Sequence, residues 1–421
     1  MYWLVETEEQ ISYLINRGYK EAYIEIIPFS NNVHPALNDI SLVYFRPSNE
    51  QKGFMLCINH SETLSVKKTR VDELLNEIEK LWVRDKKNAL YYFPIKGLLD
   101  VNLIFNTYIP EPTSAHTILN QRFYHKKDVN RIVPVVKHYE QSETTYNAIK
   151  HTFEAHIPLH FNFYNNYATL AFFGIEKNGI KTNPKLYEQF FNQKTDRAFT
   201  RYNFYTTTTR PSNTFGGINF AALNKDNGCR AAFIPSNNKF VEIDISAYHP
   251  SLAAHLVNYD FGDGDIHERF AEMYKVDYAK AKELTFKQLY GGVFEQYKEL
   301  EFFKKVSVYI DNLWENFTEN GWIEAPTSGY QFNEDDLDNM NPQKLFNYVL
   351  QNLETSTNVR ILMEIHRLLR GKKTKIVLYT YDSFLLDYDE SEQEVLNEIK
   401  NIFKKFNLKI KVADGTSYDF T

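Results

Sequence analysis

Two acidic positions in this chain could together hold a divalent metal ion. Asp244 lies in the segment Val241–Leu252, where an apolar strand is predicted to become a helix. Asp382 lies in the segment Lys375–Tyr388, at the predicted tip of an apolar hairpin. Carboxylates on rigid strand ends suit metal-assisted nucleotidyl transfer, and the backbone carbonyl of Ile245 adds a further oxygen ligand. Each acid also has a simpler interpretation, Asp244 as a helix cap and Asp382 as an exposed hairpin residue.

The predicted turn at Asp382 departs from normal hairpin chemistry. Tyr381 and Asp382 join the two apolar runs, whereas a two-residue turn prefers Asn-Gly or Asp-Gly. A local sequence rule that is broken at a carboxylate favours a functional role for that carboxylate.

A predicted helix between the two acids carries a cation and two aromatic rings on one face. Lys282, Phe286 and Tyr290 are four residues apart, so they share a side of the helix. Core packing would explain the two rings but not the lysine in the same stripe. A bound nucleotide would explain all three, with the lysine on the triphosphate and the rings against the base and sugar.

Hydrophobic patterning predicts an α/β unit in the first part of the chain and a second unit from Leu170 onward. In the first unit we predict a strand, a hairpin and an amphipathic helix: Ala22–Ile27, Ile40–Phe45 with Gly53–Ile58, and Val71–Trp82. In the second unit, an apolar run over Leu170–Glu176 leads into a turn at Asn178-Gly179, and Ser246 is the predicted N-cap after Asp244. Helical periodicity covers 266–274, 277–290, 296–319, 344–370 and 391–406.

Composition gives weaker indications of function. The net charge of −6 does not favour nucleic acid as a partner, and the high aromatic content of 15% is explained equally well by core packing. Two cysteines cannot build a disulfide framework, and neither a signal peptide nor a long apolar span is recognisable. We therefore expect a cytoplasmic protein without membrane association.

Residues 170–421 resemble the polymerase domain of family A DNA polymerases, the bacterial DNA polymerase I group. Single matches are weak, but their order along the chain is specific. Asp244 and Ser246 match motif A, Lys282, Phe286, Tyr290 and Gly291 match motif B, and Tyr381–Ser383 stands at motif C. Further matching segments are Ile175–Pro184, Thr209–Asn213 with Arg210 at the family's arginine, Arg230–Pro235, Asp265–His267 and Leu408–Asp419.

Several residues depart from the family pattern. His249 replaces the glutamate that screens the sugar 2′ position, and Tyr278 replaces the leading arginine of motif B. Tyr381 and Ser383 replace the histidine and glutamate of motif C. The segment from Pro184 to Tyr205 is far too short for a normal helical thumb, which grips the duplex through its phosphates.

The resemblance implies a fold of mixed α+β and α/β type. Residues 151–421 would form a right-hand polymerase domain, with palm at about 165–250 and 350–421, a very short thumb at about 184–204 and fingers at about 255–345. Residues 1–150 would form a degenerate, RNase H-like 3′–5′ exonuclease-type α/β domain. Glu25 there is a candidate survivor of the catalytic acids, and Asp100 is either a relic or an ordinary loop residue.

The resemblance also implies a function. We expect a DNA polymerase without proofreading, in which Asp244, Asp382 and the carbonyl of Ile245 hold two Mg²⁺ ions, with Mn²⁺ as a substitute. Lys282, Phe286, Tyr290 and His249 would contact the incoming dNTP, and Arg210 would contact the primer-template DNA. Further expected partners are a processivity factor, a helicase or a primase, and the small size suits a phage or mobile element in a host cytoplasm.

Two alternatives remain at this stage. A single-subunit phage-type RNA polymerase or primase-like enzyme shares this palm, and His249 keeps dNTP versus rNTP preference open. A non-catalytic DNA-binding replication scaffold is the second, although retention of Asp244, Asp382 and Lys282 argues against loss of activity.

Overall fold

The computed structural model describes residues 3–30, 33–105, 109–118, 130–154, 157–214 and 218–420. The chain divides into two compact units, Met1–Phe161 and Asn162–Thr421. Both units combine helices with strands, so the predicted mixed class of the fold is confirmed. Within the described residues, no helix has the length and apolar character needed to cross a membrane.

The first unit is built on a six-stranded mixed sheet, counted over the described residues, with the order β1-β4-β3-β2-β5-β6. Strands β2, β3 and β4 pair antiparallel, whereas β5 and β6 continue from β2 in parallel. This mixed sheet agrees with the predicted α/β unit. The elements are β1 Leu4–Val5, α1 Glu8–Asn16, β2 Glu21–Pro28, β3 Ile40–Pro47, β4 Phe54–Cys57, α2 Lys68–Asn76, β5 Lys80–Val83, α3 Lys86–Tyr92, β6 Leu98–Asp100, α4 Asn102–Phe105, β7 His116–Ile118, β8 Asn130–Ile132 and α5 Val135–Ile149.

The core of the first unit lies between one face of this sheet and helices α1 and α2. Ile11 and Leu14 of α1 and Leu74 and Leu75 of α2 are fully buried against apolar strand residues. Thr7 caps α1 in a reciprocal arrangement with Gln10, so the helix begins where the sequence offers a capping box.

The second unit contains a four-stranded antiparallel sheet with the order β16-β17-β13-β18. The elements are the short α6 Phe161–Phe163 at the junction, α7 Thr169–Glu176, β9 Ile180–Lys181, α8 Pro184–Phe191, β10 Arg197–Ala198, β11 Arg201–Asn203, β12 Ser212–Thr214, β13 Lys239–Ile245, α9 Tyr248–Leu256, α10 Ile266–Tyr274, α11 Tyr278–Gly291, α12 Glu301–Asn320, β14 Trp322–Glu324, β15 Gln331–Asn333, α13 Pro342–Leu368, β16 Lys375–Thr380, β17 Ser383–Tyr388, α14 Gln393–Lys405 and β18 Ile410–Gly415.

Helix α13 is the central element of the second unit. It packs against α7, α9, α11, α12 and α14, so it is buried around most of its circumference. A helix in this position needs no single apolar stripe, and the middle of α13 instead buries polar side chains from Asn352 to Asn358. Gly371, with φ 72°, lies two residues beyond the C-cap Leu369.

One predicted helix differs from the structure. The helix predicted over Val71–Trp82 ends at Asn76, and Lys80–Val83 is a strand that pairs in parallel with β2. A short, largely apolar run of this kind fits a buried strand or a buried helix equally well, so tertiary pairing decides between them. The apolar run Leu170–Glu176, for which no secondary structure is predicted from the sequence, belongs to helix α7.

The helix after Asp244 also begins later than predicted. The residue preceding it is Ala247, with a left-handed φ of 48°, rather than Ser246. The Ser246 amide instead donates to the carbonyl of Lys409, because the chain is still paired beside β18 at this point.

Candidate active site

The two acids that the sequence singles out lie at one end of the antiparallel sheet. In the register of β13 and β17, Asp244 lies opposite Ser383, the residue after Asp382. The amide of Ile245 donates to the carbonyl of Asp382 over 2.8 Å. Adjacent strands therefore hold the backbones of both carboxylates in fixed positions beside each other.

A residue with left-handed backbone lies close in sequence to each acid. Tyr381, directly before Asp382, has φ 59°, and Ala247, three residues after Asp244, has φ 48°. Such conformations cost free energy for residues with a Cβ and persist only where the surroundings impose them. At Tyr381 the surroundings include Asn358, whose Nδ2 donates to the Tyr381 carbonyl over 2.8 Å.

The acids line a cavity of about 240 Å³ in the second unit. Every residue for which the sequence predicts a catalytic, metal-binding or substrate-binding role borders this cavity. These residues are Arg210, Asp244, Ile245, His249, Lys282, Phe286, Tyr290 and Asp382. The cavity is also bordered by Ser246, Ala247, Tyr248, His267, Tyr278, Glu354, Tyr381 and Lys411.

Helix α11 turns its motif-bearing face toward the cavity. Its buried residues, including Ala281, Thr285 and Leu289, lie on the neighbouring face. Phe286 and Tyr290 stack with ring centroids 5.9 Å apart and ring planes 15° from parallel, and Tyr290 is 40% exposed. Tyr290 is therefore not a core residue, whereas Phe286 is partly buried and also packs against His267.

A buried hydrogen-bond chain connects α11 to α13. The Tyr290 hydroxyl lies 2.7 Å from His249 Nδ1, and His249 Nε2 lies 2.6 Å from Glu354 Oε2. Arg210 donates to the same carboxylate through Nε at 2.9 Å and Nη2 at 3.2 Å. Its guanidinium also lies over the Tyr381 ring, 3.8 Å from the centroid. The Glu354 carboxylate thus links three predicted site residues, Tyr290, His249 and Arg210.

The electrostatics of the cavity favour a cation between the two acids. Burial raises the pKa of Asp244 to about 6, and the charges of Asp382 and Glu242 act in the same direction. Lys225 and Lys411 oppose this rise without cancelling it. Loss of solvent likewise raises the pKa of Asp382. Two neighbouring carboxylates are costly to ionise together, and a divalent cation bound to both makes their ionised form favourable.

Glu354 is already neutralised by protein groups. Burial acts to raise its pKa, but the hydrogen bond and charge of His249 and the charge of Arg210 outweigh it, so the pKa is lowered. Both carboxylate oxygens accept hydrogen bonds from these two partners. Glu354 therefore binds Arg210 and His249 and is not a third metal ligand.

The available ligands match the coordination that Mg²⁺ prefers in proteins. Within the described residues no cluster of three or more His, Cys, Asp or Glu side chains could hold a metal. Mg²⁺ is normally held by one or two carboxylates together with substrate phosphates, not by an all-protein cage. Asp244 and Asp382 in a cavity that also contains Lys282 provide such an arrangement.

Glu25 and Asp100, the two acids considered as remnants of an exonuclease site, bind other groups of the first unit. Glu25 is 3% exposed, and its carboxylate faces the buried Arg84 guanidinium at 3.9 Å. The Asp100 carboxylate accepts from the amides of Lys86 at 2.8 Å and Asn102 at 2.9 Å. Asp100 is the last residue of strand β6 and is 0% exposed, so it fixes the backbone that follows this strand and is not an ordinary loop aspartate.

Comparisons with known proteins agree with this fold. No protein-family model matches the chain, and no curated protein sequence matches it. Among solved structures, it is similar to the POL domain of Pol1 from M. smegmatis, which was solved in complex with DNA primer-template and dNTP. That match has a TM-score of 0.69 and 13% identity and covers 99% of each chain. The chain therefore has the fold of a family A DNA polymerase domain, as its motifs predict.

Sequence reasoning missed the contribution of α13. Glu354 and Asn358 are 1% and 0% exposed, one helical turn apart, and both bond to residues that border the cavity. A signal was present, because the polar run Asn352–Asn358 interrupts an otherwise apolar helix with residues of low helix propensity. Buried polar residues within a helix need partners, so such a run indicates a site on the facing elements.

Proposed function

We propose that this protein is a template-directed DNA polymerase that adds dNTPs to a primer 3′ end. The observation that carries the proposal is the convergence of Asp244, Asp382, Lys282, Phe286 and Tyr290 on one cavity. Two adjacent carboxylates, a lysine and two stacked rings supply metal binding, phosphate binding and base contact within one site. The shared fold with a DNA polymerase domain supports the same proposal.

The acidic end of the sheet is the proposed metal site. Asp244, Asp382 and the carbonyl of Ile245 would hold two Mg²⁺ ions, for which Mn²⁺ would substitute. Bound there, Mg²⁺ would lower the pKa of the primer 3′-hydroxyl and neutralise charge on the triphosphate. The strand pairing of β13 and β17 fixes both carboxylates before substrate arrives, so little reorganisation accompanies binding.

The opposite wall is the proposed nucleotide site. Lys282 is exposed to the cavity and would pair with the incoming phosphates. Phe286 and Tyr290 would flank the nascent base pair, with His249 beside the sugar. The Arg210 side chain is 31% exposed while Glu354 holds it, which leaves the guanidinium edge available for the primer-template minor groove.

Other partners follow from the proposed reaction. The M. smegmatis domain was solved with primer-template and dNTP, and we propose the same two ligands for this chain. A processivity factor, a helicase or a primase would act with it in replication. A phage-like origin and a cytoplasmic location remain predictions from sequence.

Primer extension with dNTPs and rNTPs in parallel tests the proposal. A labelled primer-template with Mg²⁺ should be extended by dNTPs in template order and much more slowly by rNTPs. Preferred use of rNTPs would instead favour the RNA polymerase alternative, for which His249 in the place of glutamate is the motivating residue. Tight DNA binding without any extension, in Mg²⁺ or Mn²⁺, would favour a replication scaffold.

A further inference from the structure

Helix α13 carries two buried polar side chains whose contacts divide the active site into halves. Asn358 bonds to residues around the two acids, and Glu354 bonds to residues around the nucleotide wall. Within the part of the chain that the structure describes, neither side chain forms a hydrogen bond with Asp244, Asp382 or Lys282. We infer that Asn358 is the positioning residue of the metal-binding half and Glu354 is the positioning residue of the nucleotide-binding half. This inference rests on the proposed function.

Asn358 uses both ends of its amide on the elements that carry the acids. Its Nδ2 donates to the Tyr381 carbonyl at 2.8 Å and to the Tyr379 hydroxyl at 2.8 Å; these residues precede Asp382 by one and three positions. Its Oδ1 accepts from the Tyr248 hydroxyl at 2.7 Å, at the start of the helix that follows Asp244. One side chain therefore ties the Asp382 turn to the Asp244 segment.

The Tyr381 turn needs such a tie because its conformation is unfavourable by itself. A tyrosine at φ 59° is held against its intrinsic preference, and Asp382 follows it directly. If the Asn358 bond is lost, the turn can relax, and the carboxylate moves relative to Asp244. The expected consequence is weaker metal binding, since the groups that orient metal ligands typically contribute about 10- to 100-fold in affinity.

Glu354 acts on different groups. It fixes Arg210 through two hydrogen bonds and His249 through one, and His249 in turn contacts the Tyr290 hydroxyl. None of these residues is a proposed metal ligand. Arg210 also lies over the Tyr381 ring, but Asn358 holds the Tyr381 carbonyl independently of Glu354. Loss of the carboxylate should therefore release the base- and sugar-facing side chains while the hydrogen bonds of Asn358 keep the acidic end of the sheet in place.

The test compares Asn358→Leu and Glu354→Gln in the full chain, with two readouts that do not depend on turnover. Mn²⁺ binding is measured by electron paramagnetic resonance, and dNTP binding to the enzyme with primer-template is measured by fluorescence titration in Ca²⁺. Asn358→Leu should weaken Mn²⁺ binding about 10-fold or more with little change in dNTP affinity. Glu354→Gln should weaken dNTP binding by about 10-fold, with Mn²⁺ binding near that of the wild type.

Milder and matched variants keep the result interpretable if folding suffers. Tyr248→Phe removes the bond to Asn358 Oδ1 together with a longer one, of 3.4 Å, to the backbone carbonyl of Glu354. Tyr290→Phe removes the bond to His249. Because neither change touches the Glu354 carboxylate, the two variants should reproduce the same separation at smaller size. Ser356→Ala is the control on α13, because Ser356 is buried and its hydroxyl donates to the Leu353 carbonyl of the same helix. It should match the wild type in both readouts.

The outcomes separate this inference from the proposed function. Equal losses of metal and nucleotide binding in both variants, or losses in thermal stability alone, would overturn the division of the site. A wild-type protein that never extends primers, yet shows the separated binding losses, would remove the polymerase assignment while the positioning roles stand. Kinetic confirmation would be a raised Mg²⁺ requirement for Asn358→Leu and a raised dNTP KM for Glu354→Gln.

Discussion

The pairing of Glu25 with Arg84 determines whether Glu25 can bind a metal ion in the first unit. The carboxylate and the guanidinium face each other at 3.9 Å, with 3% and 5% of their side chains exposed. Burial raises the pKa of Glu25, and the positive charge of Arg84 and a hydrogen bond with Ser142 counteract part of that rise. A fixed guanidinium at this carboxylate repels a divalent cation, so Glu25 is a poor metal ligand.

We therefore predict that the protein does not proofread. A labelled, mismatched primer incubated with Mg²⁺ or Mn²⁺ and no nucleotide should remain at full length, because two-metal hydrolysis needs a full set of acids. The products are read on a sequencing gel over time. Steady 3′ shortening that persists in the Asp244→Asn variant would show an exonuclease site in the first unit.

His138 should make the first unit sensitive to acid. It is 1% exposed, and within the described residues neither ring nitrogen has a hydrogen-bond partner. Burial lowers its pKa from 6.5 to about 4, with His60 acting in the same direction and Glu62 against it. Because the folded pKa is depressed, the neutral ring's stabilisation is present above pH 6.5 and is lost as the pH falls toward 4.

Replacement of His138 by phenylalanine removes this titration. Between pH 7.5 and pH 5 the wild type should lose about 2 kcal/mol more stability than His138→Phe. Chemical denaturation at both pH values, followed by circular dichroism, measures the difference. An equal loss in both proteins would mean that His138 is not the acid-sensitive group.

The residues proposed to do chemistry were predictable one by one, but Glu354 and Asn358, which bind the residues around them, were not. Asp244, Asp382 and the Lys282 stripe stood out because carboxylates and cations at strand ends and on helix faces have a recognisable spacing. Glu354 and Asn358 had no such spacing, because α13 is buried around most of its circumference and therefore shows no regular alternation of polar and apolar faces. Their partners lie more than a hundred residues away in several cases, as for His249 and Glu354.

At the scale of elements, length and context limited the prediction. Long periodic segments such as α10, α11 and α12 were confirmed within a few residues. The short run at β5 was wrongly predicted as the end of a helix, because its pairing with the distant strand β2 decides its structure. The left-handed residues Ala247 and Tyr381 could not be foreseen, because neither type favours that conformation.

The packing of α7 on α13 gives a prediction about Gly174. A Cβ at this position would lie 2.5 Å from His366 Cε1, and His366 is itself held by the Ala171 carbonyl at 2.8 Å. Gly174→Ala should therefore destabilise the protein by about 1–3 kcal/mol, although alanine is the better helix former. Thermal unfolding measures the effect. A Gly174→Ala protein as stable as the wild type would contradict the close helix contact.

A second substitution serves as the control for Gly174. His366→Ala removes the atoms that the new methyl group would meet, so the double variant should recover part of the loss from Gly174→Ala. Purely additive losses in the double variant would mean that the cost arises elsewhere in α7.

At the scale of the whole chain, the segment assigned to the thumb is small. Between Asn183 and Phe204 it forms only α8 and the short strands β10 and β11, counted over residues that the structure describes throughout this stretch. The partly buried Leu186, Phe190 and Phe191 pack onto the core of the second unit. The identification of this segment as a reduced thumb, and of palm and fingers around it, stays a prediction.

We expect the polymerase to act distributively when alone. Fewer phosphate contacts give faster dissociation, and non-specific DNA affinity is mainly electrostatic. With a trap that captures released enzyme, each binding event should add only a few nucleotides, and extension should fall steeply as salt increases. Long products at moderate salt, in the presence of the trap and without an added protein, would refute this expectation and imply another way of enclosing the duplex.

The central claim is that Asp244 and Asp382 jointly hold the catalytic metal ions. The most direct measurement is Mg²⁺-dependent extension of a labelled primer by the wild type, Asp244→Asn and Asp382→Asn, with circular dichroism as a check on folding. Each variant should lose extension by about two or more orders of magnitude while it remains folded, because an amide is a far weaker ligand for Mg²⁺ than a carboxylate. Near-normal extension by either folded variant would contradict the account.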